Sequence, residues 1–348
     1  MERTDRQTPF PPDGHGISRR AALKTVGAGS TLALAGCLTG ADSGSTSIRI
    51  SGGVGPLPMM QVWADEYRSE TGVGIDVSGG GTGVGVSDVL NEQVDIAMMG
   101  REPDEAELEQ GLFAVAMLID TVVGTINVNN PVYDELREDG LTREQLESVF
   151  TDEVANWNEL VDANVDEPIY VYGRSDSSAA YKQWGNFLGG EDHAHTENEL
   201  EDYADGNFDG DQQVAQAINN DSHGISLNNL NYVYDFNTGN LEMNIRPVPL
   251  DLDGSGTLSP EEDFYDNRDE FLTAVEEGIY PAPPAREMFI AANEEFEEEA
   301  AEFAKWVLTD GQEYVRDHGY APISDDRLAE ERERLADRHD GLEIEVTG

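Results

Sequence analysis

Three stretches of this chain place glycine or hydroxyl residues between a strand-like apolar run and a helix-like run. They are Gly52-Gly53-Val54-Gly55, Gly81-Thr82-Gly83, and Arg174-Ser175-Asp176-Ser177-Ser178, the last leading into Ala179-Ala180. Such turns present backbone N–H groups and hydroxyls at a helix N-terminus, where the partial positive charge of the helix end adds to directed hydrogen bonds. The chemistry they suit is the binding of an oxyanion. Each follows a predicted strand, so each falls at the carboxyl edge of a sheet, where open α/β folds hold their ligands. One turn of this kind is more often a packing device; three in one chain point to a site.

A fourth stretch suits a hard cation. Residues 251–262, from Asp251 to Glu262, follow the twelve-residue calcium loop. Asp251, Asp253, Ser255 and Ser259 offer side-chain oxygens at the ligand positions, Thr257 offers its carbonyl, and Glu262 closes the loop as the bidentate carboxylate. Gly256 stands at the sharp turn and Leu258 at the apolar position. The competing reading is an acidic surface loop in an acidic protein. Residues 245–250 contain two prolines and read as a strand, so the expected role is an isolated structural calcium staple and not a sensor, which needs a moving helix pair. His193 and His195 lack a third neighbouring ligand in the sequence. No histidine falls in a triad pattern and no serine in a Gly-x-Ser-x-Gly elbow, so neither an enzyme nor an organic cofactor is expected.

The elements that must position these turns alternate between strand and helix. Residues 47–51 read as a strand and 56–69 as a helix, with Met59, Met60, Trp63 and Tyr67 at helical spacing. Strands at 73–77 and 94–99 flank a helix through Val86 and Leu90, giving the βαβαβ pattern of a mostly parallel sheet. Further strands are predicted at 113–119 and 122–128, and the turn residues Asn127 to Pro131 suit a crossing between two lobes. Thr142 and Gln145 have capping-box spacing ahead of a helix through Phe150. The polar segment 191–210 reads as a surface excursion, Pro281 to Pro284 as a second crossing, and 325–339 as a charged terminal helix. The fold class is α/β, with lobe 1 at 47–126 plus 285–348 and lobe 2 at 127–284.

Residues 1–46 read as processing signals. Arg19-Arg20 precede the uncharged run 25–36, which is too short to span a bilayer of about 30 Å. The run ends in Leu34-Ala35-Gly36-Cys37, similar to a lipobox, and the arginine pair resembles a twin-arginine signal. Cys37 is therefore the expected lipid anchor, tying the chain to the outer face of the cell membrane. As the one cysteine of the chain, it leaves no internal disulfide and no thiolate metal site. Residues 39–47 carry no large apolar side chain and suit a flexible tether.

With 71 acidic against 21 basic residues, the net charge is -50. Acidic disorder would account for such a count, but the periodic apolar segments argue for a folded protein with an acidic surface. That surface suits concentrated salt, where the Debye length falls to about 3 Å at 1 M. A halophilic source is inferred, and nucleic acid is excluded as a partner by charge repulsion.

Taken together, Ile50-Ser51-Gly52, Gly79 to Gly85, Val94-Asp95-Ile96-Ala97, Asn156-Trp157-Asn158, Tyr172-Gly173-Arg174, Trp306 to Gln312 and Gly319 to Ile323 resemble the phosphate-binding (PstS-type) proteins of ABC transporters. The likeness implies a haloarchaeal lipoprotein with a type II periplasmic-binding-protein fold: two α/β lobes closing on phosphate or a related oxyanion. It also implies delivery to an ABC permease with its ATPase, and a monomer. By that resemblance Thr82 is a hydroxyl donor, Arg174 the guanidinium that forks onto the anion, and Ser178 the serine that follows it. Val54 and Gly55 stand beside Gly53 where Ser and Thr are usual, Gly100 where Asp or Ser is, and Ala179-Ala180 where Gly-Thr is. Asp176 either accepts the proton of a protonated oxyanion or orients Arg174, and Arg101 is a candidate second cation. The alternative reading is a calcium-stabilised surface structural or adhesion protein of the same fold, without solute transport.

Overall fold

The computed structural model describes residues 47–176, 178–190, 193–235, 238–241, 243–339, 342 and 344. The expected export signal, the Cys37 anchor and the tether up to residue 46 lie outside the described residues, while Ser47, expected to end the tether, opens the first strand. The chain opens with β1 (Ser47–Gly52), α1 (Leu57–Thr71), β2 (Gly74–Gly79), α2 (Thr82–Leu90), β3 (Ile96–Met99), α3 (Glu105–Glu109), β4 (Leu112–Asp120) and β5 (Val122–Asn127). There follow α4 (Tyr133–Asp139), α5 (Arg143–Phe150), β6 (Tyr170–Arg174), α6 (Ala179–Gly189), α7 (Glu197–Tyr203), β7 (Gly206–Phe208), α8 (Asp211–Asn220) and β8 (Gly224–Asn229). The remainder comprises β9 (Ile245–Pro247), α9 (Arg268–Glu276), β10 (Arg286–Asn293), α10 (Glu298–Val307) and α11 (Asp325–Arg338).

Two five-stranded sheets result, ordered β2-β1-β3-β10-β4 and β7-β6-β8-β5-β9. In the first, β1 runs parallel to β2 and β3, while β10 returns antiparallel between β3 and β4. In the second, β6 runs parallel to β7 and β8, while β5 is antiparallel to β8 and β9. Each sheet has its own apolar core. Met59, Met60, Trp63 and Tyr67 of α1 pack into the first, and Trp157, Tyr181, Trp184 and Phe271 into the second. The local signals explain the helices: the Thr142–Gln145 capping box starts α5, and Gly72, at φ +79°, ends α1.

The first crossing lies one strand earlier than the turn residues 127–131 suggested. β5 belongs to the second sheet, so the chain changes lobe at Thr121, between Asp120 of β4 and Val122 of β5. The apolar run from 113 to 128 hides the switch because both strands are buried along their length. Asn127 instead shapes a turn inside the second lobe, donating to the carbonyls of Ile218 and Asn219. The chain comes back at Arg286, which lies in register opposite Asp120. The segment 191–210 is likewise more than an excursion: it holds α7, whose Leu200 is buried, and β7, which extends the second sheet beside β6.

Gly85 sets how closely α2 sits on β1. A Cβ there would lie 2.6 Å from the Gly52 Cα and 2.7 Å from the Ser51 carbonyl oxygen. Gly85→Ala is expected to cost about 1–3 kcal/mol through forced backbone displacement, and an unchanged denaturation midpoint would contradict this packing.

Candidate functional site

Because β1, β2 and β3 are parallel, their carboxyl ends share one edge, which also carries the end of β4 and the start of β10. The first turn, 52–55, leaves this edge after β1. Its Gly53 N–H donates to the Met98 carbonyl at 2.7 Å, so Gly53 is a brace between β1 and β3, and the expectation that it donates to an anion is corrected. Val54 is 64% exposed and offers no hydroxyl. At the second turn, the Thr82 Oγ1 accepts a hydrogen bond from the Gly100 N–H at 3.0 Å, leaving its own O–H to donate. The structure thus brings Thr82 and Gly100 together from 18 residues apart.

Arg101 is corrected as a cleft cation. Its Nη1 and Nη2 bond the two Glu107 carboxylate oxygens at 2.8 and 2.7 Å, and Glu107 also closes the capping box of α3 with Asp104. Coming directly after Gly100, the arginine turns away to anchor the start of a helix. The cation missed from sequence at this edge is Arg286, whose Nη2 donates to the Asp120 Oδ2 at 2.7 Å.

In the second lobe, β6 ends in Arg174 and α6 begins five residues later, so guanidinium and helix N-terminus share one edge. The Ser178 Oγ caps α6 by accepting from the Tyr181 N–H at 3.3 Å, and Ala179 and Ala180 form its first turn. The Arg174 side chain is only 4% exposed. Its Nε and Nη2 donate to the two Asp176 oxygens at 2.7 Å each, and its Nη1 donates to the Asp211 Oδ1 at 2.7 Å. Asp176 also accepts from the Gly210 N–H at 3.1 Å, which ties this loop to the start of α8. Both oxygens of Asp176 are therefore occupied in holding Arg174, and of its two expected roles the geometry fits orientation.

Asp211 was not foreseen, because only the fold brings the first residue of α8 to the end of β6. The hydrogen bond from Arg174 holds the Asp176 carboxyl below its usual value against the effect of burial. Burial pushes Asp211 up, Arg174 opposes this, and the Asp120 charge from the first lobe adds to the rise.

The loop 251–262 stands apart from this edge. Asp251, Asp253 and Glu262 each direct a ligand atom to within 4.8 Å of the others. Asp251 accepts from the Ser255 and Gly256 N–H groups, and Glu262 from those of Leu252, Asp253 and Ser259. The Ser255 hydroxyl donates to the Thr257 carbonyl, while Gly254 and Gly256 take φ of +69° and +78°. Burial alone would raise Glu262, but its hydrogen bonds from Ser259, Leu252 and Asp253 outweigh this and hold it low. Oxygen donors on a preshaped turn fit a calcium ion. Near α7 the fold adds Glu199 to His193 and His195, yet Glu199 caps that helix and His195 bonds Glu147 at 2.8 Å.

Arg174→Met strands two carboxylates. At neutral pH it should destabilise the fold toward the low end of about 3–5 kcal/mol, since Asp176 and Asp211 keep 29% and 21% exposure. With its folded pKa depressed, Asp176 contributes stability that is present above its unfolded value and lost as pH falls through its folded one. The gap between variant and wild-type melting temperatures should therefore narrow in acid, and a gap independent of pH would contradict the pairing.

Residues 39–311 match the PBP superfamily domain. The phosphate-binding protein PstS of Bacillus subtilis is 30% identical over 140 residues, which cover 40% of this chain and 45% of that protein. The chain thus aligns with less than half the length of this curated relative. Among solved structures, an ABC-type phosphate transport receptor from Vibrio cholerae superposes with a TM-score of 0.59 at 19% identity, covering 79% of this chain and 99% of that one. PstS from Borrelia burgdorferi superposes with a TM-score of 0.55 at 18% identity, covering 80% and 99%. These structures share the two-lobed α/β fold. On the superfamily match across most of its length, this chain belongs to the PBP superfamily.

Proposed function

We propose that this chain is the substrate-binding component of an ABC importer, capturing phosphate or a related oxyanion and handing it to a membrane permease without chemical change. The observation that carries the reading is the buried Arg174 at the end of β6, fixed by Asp176 and Asp211 beside the N-terminus of α6. A guanidinium has five N–H donors, and three meet these carboxylates, leaving one on each terminal nitrogen to fork onto an oxyanion. Facing lobe 1 offers the Thr82 hydroxyl, oriented by the Gly100 N–H. Ser178, Ala179 and Ala180 add the cap hydroxyl and the unpaired N–H groups of a helix N-terminus. The Bacillus subtilis relative named as a phosphate-binding protein supports the same ligand class.

Isothermal titration of the purified chain with phosphate, sulfate and molybdate tests this. Saturable binding of one of them, abolished in Arg174→Ala, is expected; an absence of binding to all three would overturn the reading.

The acidic surface supports a protein that works in concentrated salt. Raising KCl from about 0.1 M to about 1 M shortens the Debye length from about 10 Å to about 3 Å, so the melting temperature should climb steeply over that interval. A flat or falling response would remove the halophilic reading.

Asp251, Asp253, Ser255, Ser259, Glu262 and the Thr257 carbonyl would hold a structural calcium ion, which supplies a cross-link between the ends of the loop. The loop is joined to the second lobe through Leu258 N–H to the Glu138 carbonyl and Asp251 N–H to the Leu141 carbonyl. Millimolar calcium is expected to raise the melting temperature of the wild-type chain and not of Glu262→Gln. Because Glu262 is held low, the effect should persist until the pH drops below the ordinary carboxylate range. Equal melting temperatures with calcium and with chelator would contradict the site.

A further inference from the structure

The first lobe buries a cation that the oxyanion reading above leaves without a task. The Arg286 side chain is 7% exposed and its Asp120 partner 5%, and the two lie directly opposite each other where β4 leaves the first sheet and β10 enters it. One nitrogen, Nη2, is bound to Asp120, whereas Nε and Nη1 are buried without a hydrogen-bond partner among the described residues. Buried guanidinium N–H groups left unmatched are costly, so an arginine kept in that state calls for an acceptor that arrives from outside.

The surroundings say where that acceptor would come from. A Cβ on Gly55 would stand 3.5 Å from the Arg286 Nη2, 3.7 Å from the Asp120 Oδ2 and 2.9 Å from the Met288 Cε. The Gly55 carbonyl accepts from the Tyr320 hydroxyl at 2.8 Å, which fixes the first turn over the pair. Met288 also borders Gly100, whose own Cβ would lie 3.6 Å from the Met288 Sδ and 3.7 Å from the Thr82 Oγ1. Arg286 therefore shares its corner of the sheet edge with Thr82 and Gly100. The turn that carries Val54 and Gly55 in place of hydroxyl residues is the turn that lies against this guanidinium.

We infer that Arg286, tethered by Asp120, is a second anion-binding cation and supplies from lobe 1 the donors that Val54 and Gly55 do not. With Arg174 in lobe 2, it provides one guanidinium on each side of the crossing. That arrangement sets N–H donors from both lobes about one tetrahedral oxyanion, such as hydrogen phosphate. Closure of the lobes then brings both cations onto one ligand. The strand register agrees with this proximity: Val122, two residues after Asp120, pairs with Asn229, and Asn228 donates to the Asp211 carbonyl at 3.2 Å.

The inference rests on the oxyanion reading, and one set of titrations separates the two. Wild type, Arg174→Ala and Arg286→Lys are titrated with inorganic phosphate near pH 8, and their melting temperatures are measured without phosphate. Lysine keeps the charge that pairs with Asp120 but lacks the Nε and Nη1 donors. Arg286→Lys is expected to melt near the wild-type temperature and to bind phosphate about tenfold more weakly or worse. If wild type binds, Arg174→Ala does not, and Arg286→Lys binds as wild type does, this inference is overturned and the oxyanion reading stands. If wild type binds no phosphate, both fall for this ligand. Should Arg286→Lys not yield folded protein, Arg286→Gln in an Asp120→Asn background removes both charges of the pair together and is judged by the same comparison.

Discussion

Arg174 sits almost wholly out of water in a chain of net charge -50, and it stays there because Asp176 and Asp211 clamp it from two directions. A guanidinium withdrawn from solvent is costly unless its donors are matched. The clamp meets most of that demand while fixing the plane of the group. Asp176 is two residues along the same loop, whereas Asp211 reaches it from the start of α8, so the position of the cation depends on how α8 packs against the second sheet. The loops and helix starts around it follow: Gly210 bonds Asp176, and Ser178 caps the helix that begins beside the cation.

Placement of the other lobe follows from topology. Both crossings run side by side, one through Thr121 and the other entering at Arg286, and the Arg286–Asp120 pair joins the first sheet at that point. The Thr121 carbonyl accepts from the Leu230 N–H of the second lobe, and Ile119 and Ala321 exchange backbone hydrogen bonds next to it. Two adjacent stretches, β4 into β5 and the segment entering β10, carry the chain between the lobes.

Much of this was legible in the residues. The turns at 52–55, 81–83 and 174–178 do fall at strand ends, because an apolar run followed by glycine or serine and then a helical pattern has few other ways to fold. Arg174 and Ser178 could be placed for that reason. What could not be read depended on contacts between distant segments. Arg101 follows Gly100 directly, yet the nearby Glu107 captures it. Arg286 follows a run of prolines and stands at the start of an antiparallel strand, so only the order β3-β10-β4 carries it to the edge that holds Thr82 and Gly100. Asp211 likewise needs α8 folded against β6 and β8. The crossing at Thr121 was missed because two fully buried strands give no change of pattern where one sheet hands over to the next.

Crystals of the chain grown with arsenate test directly whether Arg174 holds an oxyanion. Arsenate is tetrahedral like phosphate, and its anomalous scattering locates it without bias from the protein phases. One strong peak is expected between the two sheets, within hydrogen-bond distance of the Arg174 terminal nitrogens, the Thr82 hydroxyl and the start of α6. Well-ordered crystals with no peak there, or a peak held only by surface residues away from Arg174, would contradict it.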